Sequence, residues 1–169
     1  MLACNQTITV WNKWRDPDDK QSPEVYYRHV LPVLCKYDTT VIRLIVSDGV
    51  VIKNTQEVII PLCELYKHPA EWNRLNEESE ERTGNRFNLL KFNVSAQSVT
   101  AGQNGRNTYF TLQEGDVIAL GDNSIEITGA EPFRKSDVIN VLKPNVFVIK
   151  TVRDNTFTKR GRHFKVEGV

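Results

Sequence analysis

The sequence predicts a mainly β fold, a small barrel or sandwich with one or two short helices and a long polar loop or arm. Three observations predict it. Apolar residues recur with period two over most of the chain, as in strands with one buried face. Asp, Asn, Gly and Pro interrupt these runs at short intervals, where turns between strands belong. Only the segment opening at Pro69 reads as a convincing helix.

Each element follows from its residues. Thr7 to Trp11 (TITVW) is a β-branched and aromatic run, and Asp16-Pro17-Asp18-Asp19 is a turn or exposed loop after it. Val25 to Tyr37 reads as one long strand. Its mostly buried face carries Val25, Tyr27, His29, Leu31, Val33, Cys35 and Tyr37, and Pro32, which cannot donate to a ladder, places it at an edge or a bulge. Val41 to Ser47 and Val50 to Ile60 flank Asp48-Gly49, the turn pair of a hairpin in which both residues take positive φ. Asn54-Thr55 offers a second turn, and Pro61 ends the region.

Pro69 fits a first helical turn, where its missing N–H is not needed. Trp72 and Leu75 share a face of that helix, and Gly84 is its stop. The stretch from residue 76 to 108 is largely polar, and a connection this long is uncommon in a compact domain and often functional. A short strand fits at Leu89 to Val94. Strands resume at Tyr109 to Leu112, Asp116 to Leu120 and Ser124 to Thr128, with Gly121-Asp122 as a turn. Ser136 caps a short helix, Asp137 to Leu142, which Pro144 ends. Asn145 to Arg153 and His163 to Glu167 are the last strands. Eight or nine strands in all point to an SH3-like or OB-like barrel or sandwich. The expected organisation is one domain over residues 1–169, with 76–108 as a long insertion or arm within it.

Composition narrows function. The chain has 169 residues, 40% hydrophobic and 25% charged, an ordinary globular mixture long enough to bury its own core. Lys+Arg 22 against Asp+Glu 21 leaves a net charge of +1, which excludes a uniformly basic nucleic-acid coat but not a local basic patch. Met1 to Trp14 lacks the pattern of a signal peptide, and no run of apolar residues is long enough for a transmembrane helix. Cys4, Cys35 and Cys63 form no CxxC pair and read as reduced thiols made in a cytosol.

Catalytic and metal chemistry find little support. His29 lies in the apolar register of a strand, His68 precedes the helix proline, and His163 lies beside Phe164 in the final strand. No nucleophile elbow, phosphate loop or zincin motif surrounds any of them. Cys63 and His68 are five apart without the close pairs of a structural zinc site. Asp16, Asp18 and Asp19 lack the glycine and closing glutamate of a calcium loop. The expectation is a protein without catalytic site, metal or cofactor.

Two clusters remain. Lys143, Lys150, Arg153, Lys159, Arg160, Arg162 and Lys165 are opposed after residue 142 only by Asp154 and Glu167. Lys159-Arg160-Gly161-Arg162 is the densest point, at a hairpin tip. That tip is either an ordinary solvated turn or, through Arg153, Lys159, Arg160 and Arg162, a loop facing DNA or a partner. Tyr109, Phe110, Phe147 and Phe164 are in register for the core rather than for stacking bases. Trp11 and Trp14 with Arg15 are either a barrel plug or an interface anchor, since Trp and Arg dominate interface hot spots.

The order of motifs also carries a resemblance. A T-I-T-V-W-N strand is followed by V-Y-Y-R, by a strand ending I-I-P-L, and by a P-A-E-W turn and helix. Then come F-T-L-Q-E-G-D-V-I-A-L-G from Phe110 to Gly121 and, between Val146 and Gly168, V-F-V-I-K-T-V-R-D-N and R-H-F-K-V-E-G. The chain resembles small structural proteins of long-tailed bacteriophages (siphophages), encoded among the head–tail joining genes and called head-closure, connector or minor capsid proteins. The L-Q-E-G-D segment is physically a turn or bulge that redirects one strand into the next, with Gly115 free to take positive φ. The chain departs from the family between Asn76 and Asn107, where a shorter link is expected.

The resemblance implies a virion protein of the neck, made in the host cytoplasm, that joins the portal side of the capsid to the tail and retains packaged DNA. It implies a homo-oligomeric ring, of about twelve subunits, with heterologous contacts that close on themselves. The implied partners are a portal or adaptor protein and a tail-completion or tail-terminator protein, with packaged DNA passing through the channel and no membrane. Trp11, Trp14, Arg15, Glu77, Glu78, Glu80 and Glu81 are the candidate subunit interface, the glutamates meeting the basic tip of a neighbour. The alternatives are a tail-completion or other minor capsid protein and, in another class, an OB-like nucleic-acid-binding module.

Overall fold

A computed structural model describes residues 3–15, 18, 19, 21–74 and 109–169. Seven strands lie in it: β1 (Ile8–Trp14), β2 (Val25–Val30), β3 (Lys36–Val46), β4 (Gly49–Pro61), β5 (Val117–Leu120), β6 (Val146–Asp154) and β7 (His163–Gly168). They form one sheet in the order β2-β1-β5-β6-β7-β4-β3, and every pairing is antiparallel. The chain is mainly β, as its alternation predicts.

The sheet closes on itself. Ahead of β1, Gln6 bridges Cys35 at the foot of β3. Gln6 N donates to the Cys35 carbonyl at 3.0 Å, Cys35 N to the Gln6 carbonyl at 2.8 Å, and Leu31 N to the Ile8 carbonyl at 2.9 Å. Gln6 Oε1 also accepts from Tyr37 N. The alternate residues Ile8 and Val10, Ile118, Phe147 and Ile149, Phe164 and Val166, and Val58 and Ile60 fill the barrel interior. Phe110, Phe147 and Phe164 are buried there, in the core register the sequence assigns them.

The outer face of β1, β5 and β6 is buried too. Trp11, Val117, Ala119 and Val146 pack under helix α1 (Lys135–Leu142), through Val138, and under Ile127. Trp14 and Tyr27 form a third cluster with Trp72 from the helical segment at 69–74. The rings of Tyr27 and Trp72 meet edge to face at 5.6 Å, and Trp72 Nε1 donates to the Tyr109 carbonyl. Both tryptophans are therefore buried, Trp11 under α1 outside the barrel wall and Trp14 against Tyr27 and Trp72, and neither belongs to the cluster that fills the barrel interior. The alternative, an interface anchor, fails for both because neither has a surface to offer.

Several local expectations are corrected. Val25 to Tyr37 is two strands, broken at 31–35 around Pro32, where the chain leaves β2 at the sheet edge and crosses to β3. The β3–β4 turn is Ser47-Asp48, with Val46 opposite Gly49. No described residue other than glycine has positive φ; Gly49, at 142°, alone supplies it. Asn54-Thr55 is no turn, because β4 runs unbroken through it. Tyr109 to Leu112 makes a single parallel bridge, Tyr66 to Phe110, and Ser124 to Thr128 runs outside any ladder. Helix α1 begins one residue before Ser136, and its first turn is closed by Asp137, whose carboxylate accepts from Arg134 N at 3.1 Å. Gly84, the Leu89 to Val94 strand and the 76–108 insertion lie outside the described residues.

Candidate functional site

The barrel presents different surfaces at the two ends of β4. At one end, β7 stops at Gly168, opposite Gln56, and backs β4 no further. The β3–β4 ladder continues alone from Thr40↔Thr55 to Val46↔Gly49. At about 3.4 Å per residue this ribbon projects roughly 20 Å. One face carries Val41, Arg43 and Ile45 opposite Asn54, Ile52 and Val50; Leu44, Val46, Val51 and Lys53 lie on the other. Ile45 is 88% exposed, and Val41, Leu44, Val46, Val50, Val51 and Ile52 are 46–63% exposed. The ribbon is therefore mostly apolar on both faces, with Arg43 on one and Lys53 on the other, and an isolated pair of strands is at best marginally stable in water.

Its base is anchored. The Tyr37 hydroxyl donates to Gln56 Oε1, and Gln56 Nε2 donates to the Pro144 carbonyl at 2.9 Å. Burial pushes the Tyr37 hydroxyl pKa upward, so it stays a donor. Gln56 is thus buried where the arm leaves the barrel.

At the other end, Pro61 pairs with His163, and the β6–β7 loop at 155–162 lies beside it. Leu62 N donates to the Arg162 carbonyl there. Lys159, Arg160 and Arg162 are exposed on this loop, and Phe157 among them is 90% exposed. The loop is shaped by its own side chains. Thr158 Oγ1 donates to the carbonyls of Asn155 and Arg160, Thr156 N donates to Asp154 Oδ1, and Asn155 Nδ2 meets His163 Nε2 at 3.1 Å. Arg153 is already engaged, with Glu167 at 3.6 Å, and Lys165 reaches Glu57 at 2.7 Å. The structure thus gathers three of the four predicted basic residues at one tip and places Arg153 on the adjoining strand.

Between the two ends lies a buried polar tie that sequence reading missed. Asp116 is fully buried, and its carboxylate accepts from Asn12 Nδ2 and Lys13 N, each at 2.7 Å, and from Gln113 N at 3.1 Å. Asn12 Nδ2 also donates to the Thr111 carbonyl, and its Oδ1 accepts from Thr111 N. Burial pushes the Asp116 carboxyl up to about 7 against the pull of these donors. The L-Q-E-G-D turn is therefore a clamp on β1, and Gly115 takes φ 93° in it, as expected of that turn.

The remaining predicted residues have plain roles. Arg15 is exposed and donates to the Ser22 carbonyl at 3.1 Å. Asp19 caps its own turn by accepting from Gln21 N. His29 is buried 6.5 Å from the Phe110 ring, and His68 Nδ1 accepts from Ala70 N at the start of the helical segment. Glu77, Glu78, Glu80 and Glu81 lie outside the described residues. Cys4, Cys35 and Cys63 are free thiols, and burial pushes the Cys35 thiol up to about 12. Among the described residues no group of three or more His, Cys, Asp or Glu is placed to hold a metal ion, and no helix is long and apolar enough to cross a membrane.

Comparison with protein-family models, with curated proteins and with solved structures finds no match.

Proposed function

We propose that the chain is a structural subunit of the virion neck of a long-tailed bacteriophage, a head-closure (stopper) or connector ring protein that joins the portal side of the capsid to the tail and retains packaged DNA. Its work is mechanical, without a catalytic site. The observation that carries the reading is the polarity of the barrel, with an apolar arm at one end of β4 and a basic tip at the other. A joint must offer unlike surfaces to unlike neighbours, and a ring needs an element that reaches beyond its own core. The order of the T-I-T-V-W-N, L-Q-E-G-D and R-H-F-K-V-E-G segments supports the same assignment by resemblance.

Quantitative mass spectrometry of purified virions tests it, by comparing the copy number of this protein with that of the portal. Equal numbers, one ring of each, are expected; absence from the particles overturns the reading. A tail-completion protein would instead remain with tails purified free of heads.

A second reading, an OB-like nucleic-acid-binding module, is favoured by one observation. Phe157 stands exposed beside Lys159, Arg160 and Arg162, an aromatic ring among cations that suits a base and its phosphates. It requires the isolated chain to bind oligonucleotides with an affinity that falls steeply with salt, and to lose that binding in Phe157→Ala.

A further inference from the structure

The arm carries an inference that rests on the ring reading and sharpens it. We propose that the distal β3–β4 ribbon pairs with the same ribbon of a second copy of this chain. The free edge of β4 in one copy lies against the free edge of β3 in the next, so that neighbouring arms form one continuous antiparallel sheet.

The edges make this possible. β3 is the last strand of the sheet, and β4 loses its other neighbour beyond Gln56 because β7 ends at Gly168. Within the described residues, the ribbon thus has an unpaired edge on each side. β3 and β4 run in opposite directions, so arms pointing the same way place β4 of one copy antiparallel to β3 of the next. Each copy carries both halves of the contact, which is the condition for a heterologous interface that repeats around a ring.

The side chains favour a second copy as the occupant. Exposed sheet edges in monomeric proteins are normally guarded by Pro, by several charges or by a bulge. Val41 to Asn54 contains no Pro, its ladder runs without a register shift, and it sets three charges, Arg43, Asp48 and Lys53, among eight aliphatic residues. They leave a net charge of +1 on each arm, a weak repulsion between like arms that salt screens. The seven exposed side chains offer on the order of 600 Å² of apolar surface, at the upper limit of what a monomer leaves uncovered. Edge pairing brings the flanks of these side chains to cross-strand spacing with those of the next arm and so covers part of this surface.

The test uses the full chain and two variants, followed by sedimentation velocity across a concentration series and by native mass spectrometry. In the first variant Val41 is joined to Asn54 through Asn-Gly, which removes the ribbon and keeps the register of its base. The second is Ile45→Lys with Val50→Lys, a cross-strand pair carrying like charge. Thermal melts establish that both keep the barrel. The expected result is an oligomer for the parent chain, a monomer for the shortened chain, and at least tenfold weaker association for the double lysine variant, all with similar melting temperatures. Association of the shortened chain as strong as the parent's overturns the inference and leaves the neck reading untouched. A chain absent from virions that still associates through its arm does the reverse. A parent chain that stays monomeric, yet binds phosphatidylcholine–phosphatidylglycerol vesicles through the arm, overturns the inference in favour of a lipid partner.

Discussion

The two halves of the β3–β4 hairpin share one ladder, and they meet opposite fates. From Lys36 to Asp38 and from Gln56 to Pro61 the hairpin lies in the barrel wall. There Val58 and Ile60 are fully buried against β7 and the core. From Val41 to Ile52 the same strands carry eight aliphatic residues against three in the wall half, and all those with described side chains are exposed. Hydrophobicity therefore does not decide burial here; the length of the neighbouring strand does. β7 covers β4 up to Gln56 and no further, and what lies beyond requires cover from outside the described chain.

Substitutions break this comparison with graded effects. Phe164→Ala in the barrel is the largest, about 3–5 kcal/mol lost, because it empties a fully buried ring site. Chemical denaturation measures it, and a loss below about 1 kcal/mol would contradict the packing described for the core.

Gly168→Ala strikes where the wall ends. A Cβ there would lie 2.2 Å from both Phe147 Cδ2 and the Val148 carbonyl, and backbone cannot yield as a flexible side chain does. The expected cost is about 1–3 kcal/mol in the same experiment. A neutral result would mean that β6 and β7 separate more freely at this end.

Asp116→Asn sharpens the comparison from the polar side. It turns an amide N–H₂ toward groups that are themselves donors, at a cost of about 1–3 kcal/mol near neutral pH. The pH profile has a definite sign. The folded Asp116 carboxyl is raised to about 7 from an unfolded value of 3.8, so the native state binds the extra proton between them. That contribution is fully present below pH 3.8 and is lost as pH rises through 7. Stability of the parent chain should fall across this window relative to Asp116→Asn. Parallel profiles would show that the clamp holds its carboxylate charged throughout.

Ile45→Ala is the smallest effect, within about 0.5 kcal/mol on the isolated monomer, since the side chain has no cover to lose. A loss as large as that of Phe164→Ala would place the arm in a core after all.

The barrel was largely legible in the sequence. Alternation located β1, β4, β6 and β7, and the glycine of L-Q-E-G-D marked the turn in which Gly115 takes positive φ. Three features were not legible, each because it depends on what lies opposite in space. β2 buries Tyr26 and Tyr27 on opposite faces, since α1 and the 69–74 helix supply two separate covers. Asn12 and Asp116 are ordinary polar residues until the fold brings them to 2.7 Å across 104 positions. The arm reads as core because V-I-R-L-I-V and V-V-I are apolar; its one local signal was apolarity in both registers, where a half-buried strand alternates.

Amide hydrogen exchange, read by mass spectrometry on dilute monomer and on the assembled form, tests the central claim most directly. In the monomer, the amides of Ile8–Trp14, Val58–Ile60 and Phe164–Val166 should be protected to the limit of global unfolding, while those of Val41–Ile52 exchange orders of magnitude faster. On assembly the arm alone should gain protection. Equal protection of arm and barrel in the monomer, or an arm that still exchanges fast after assembly, would contradict the account.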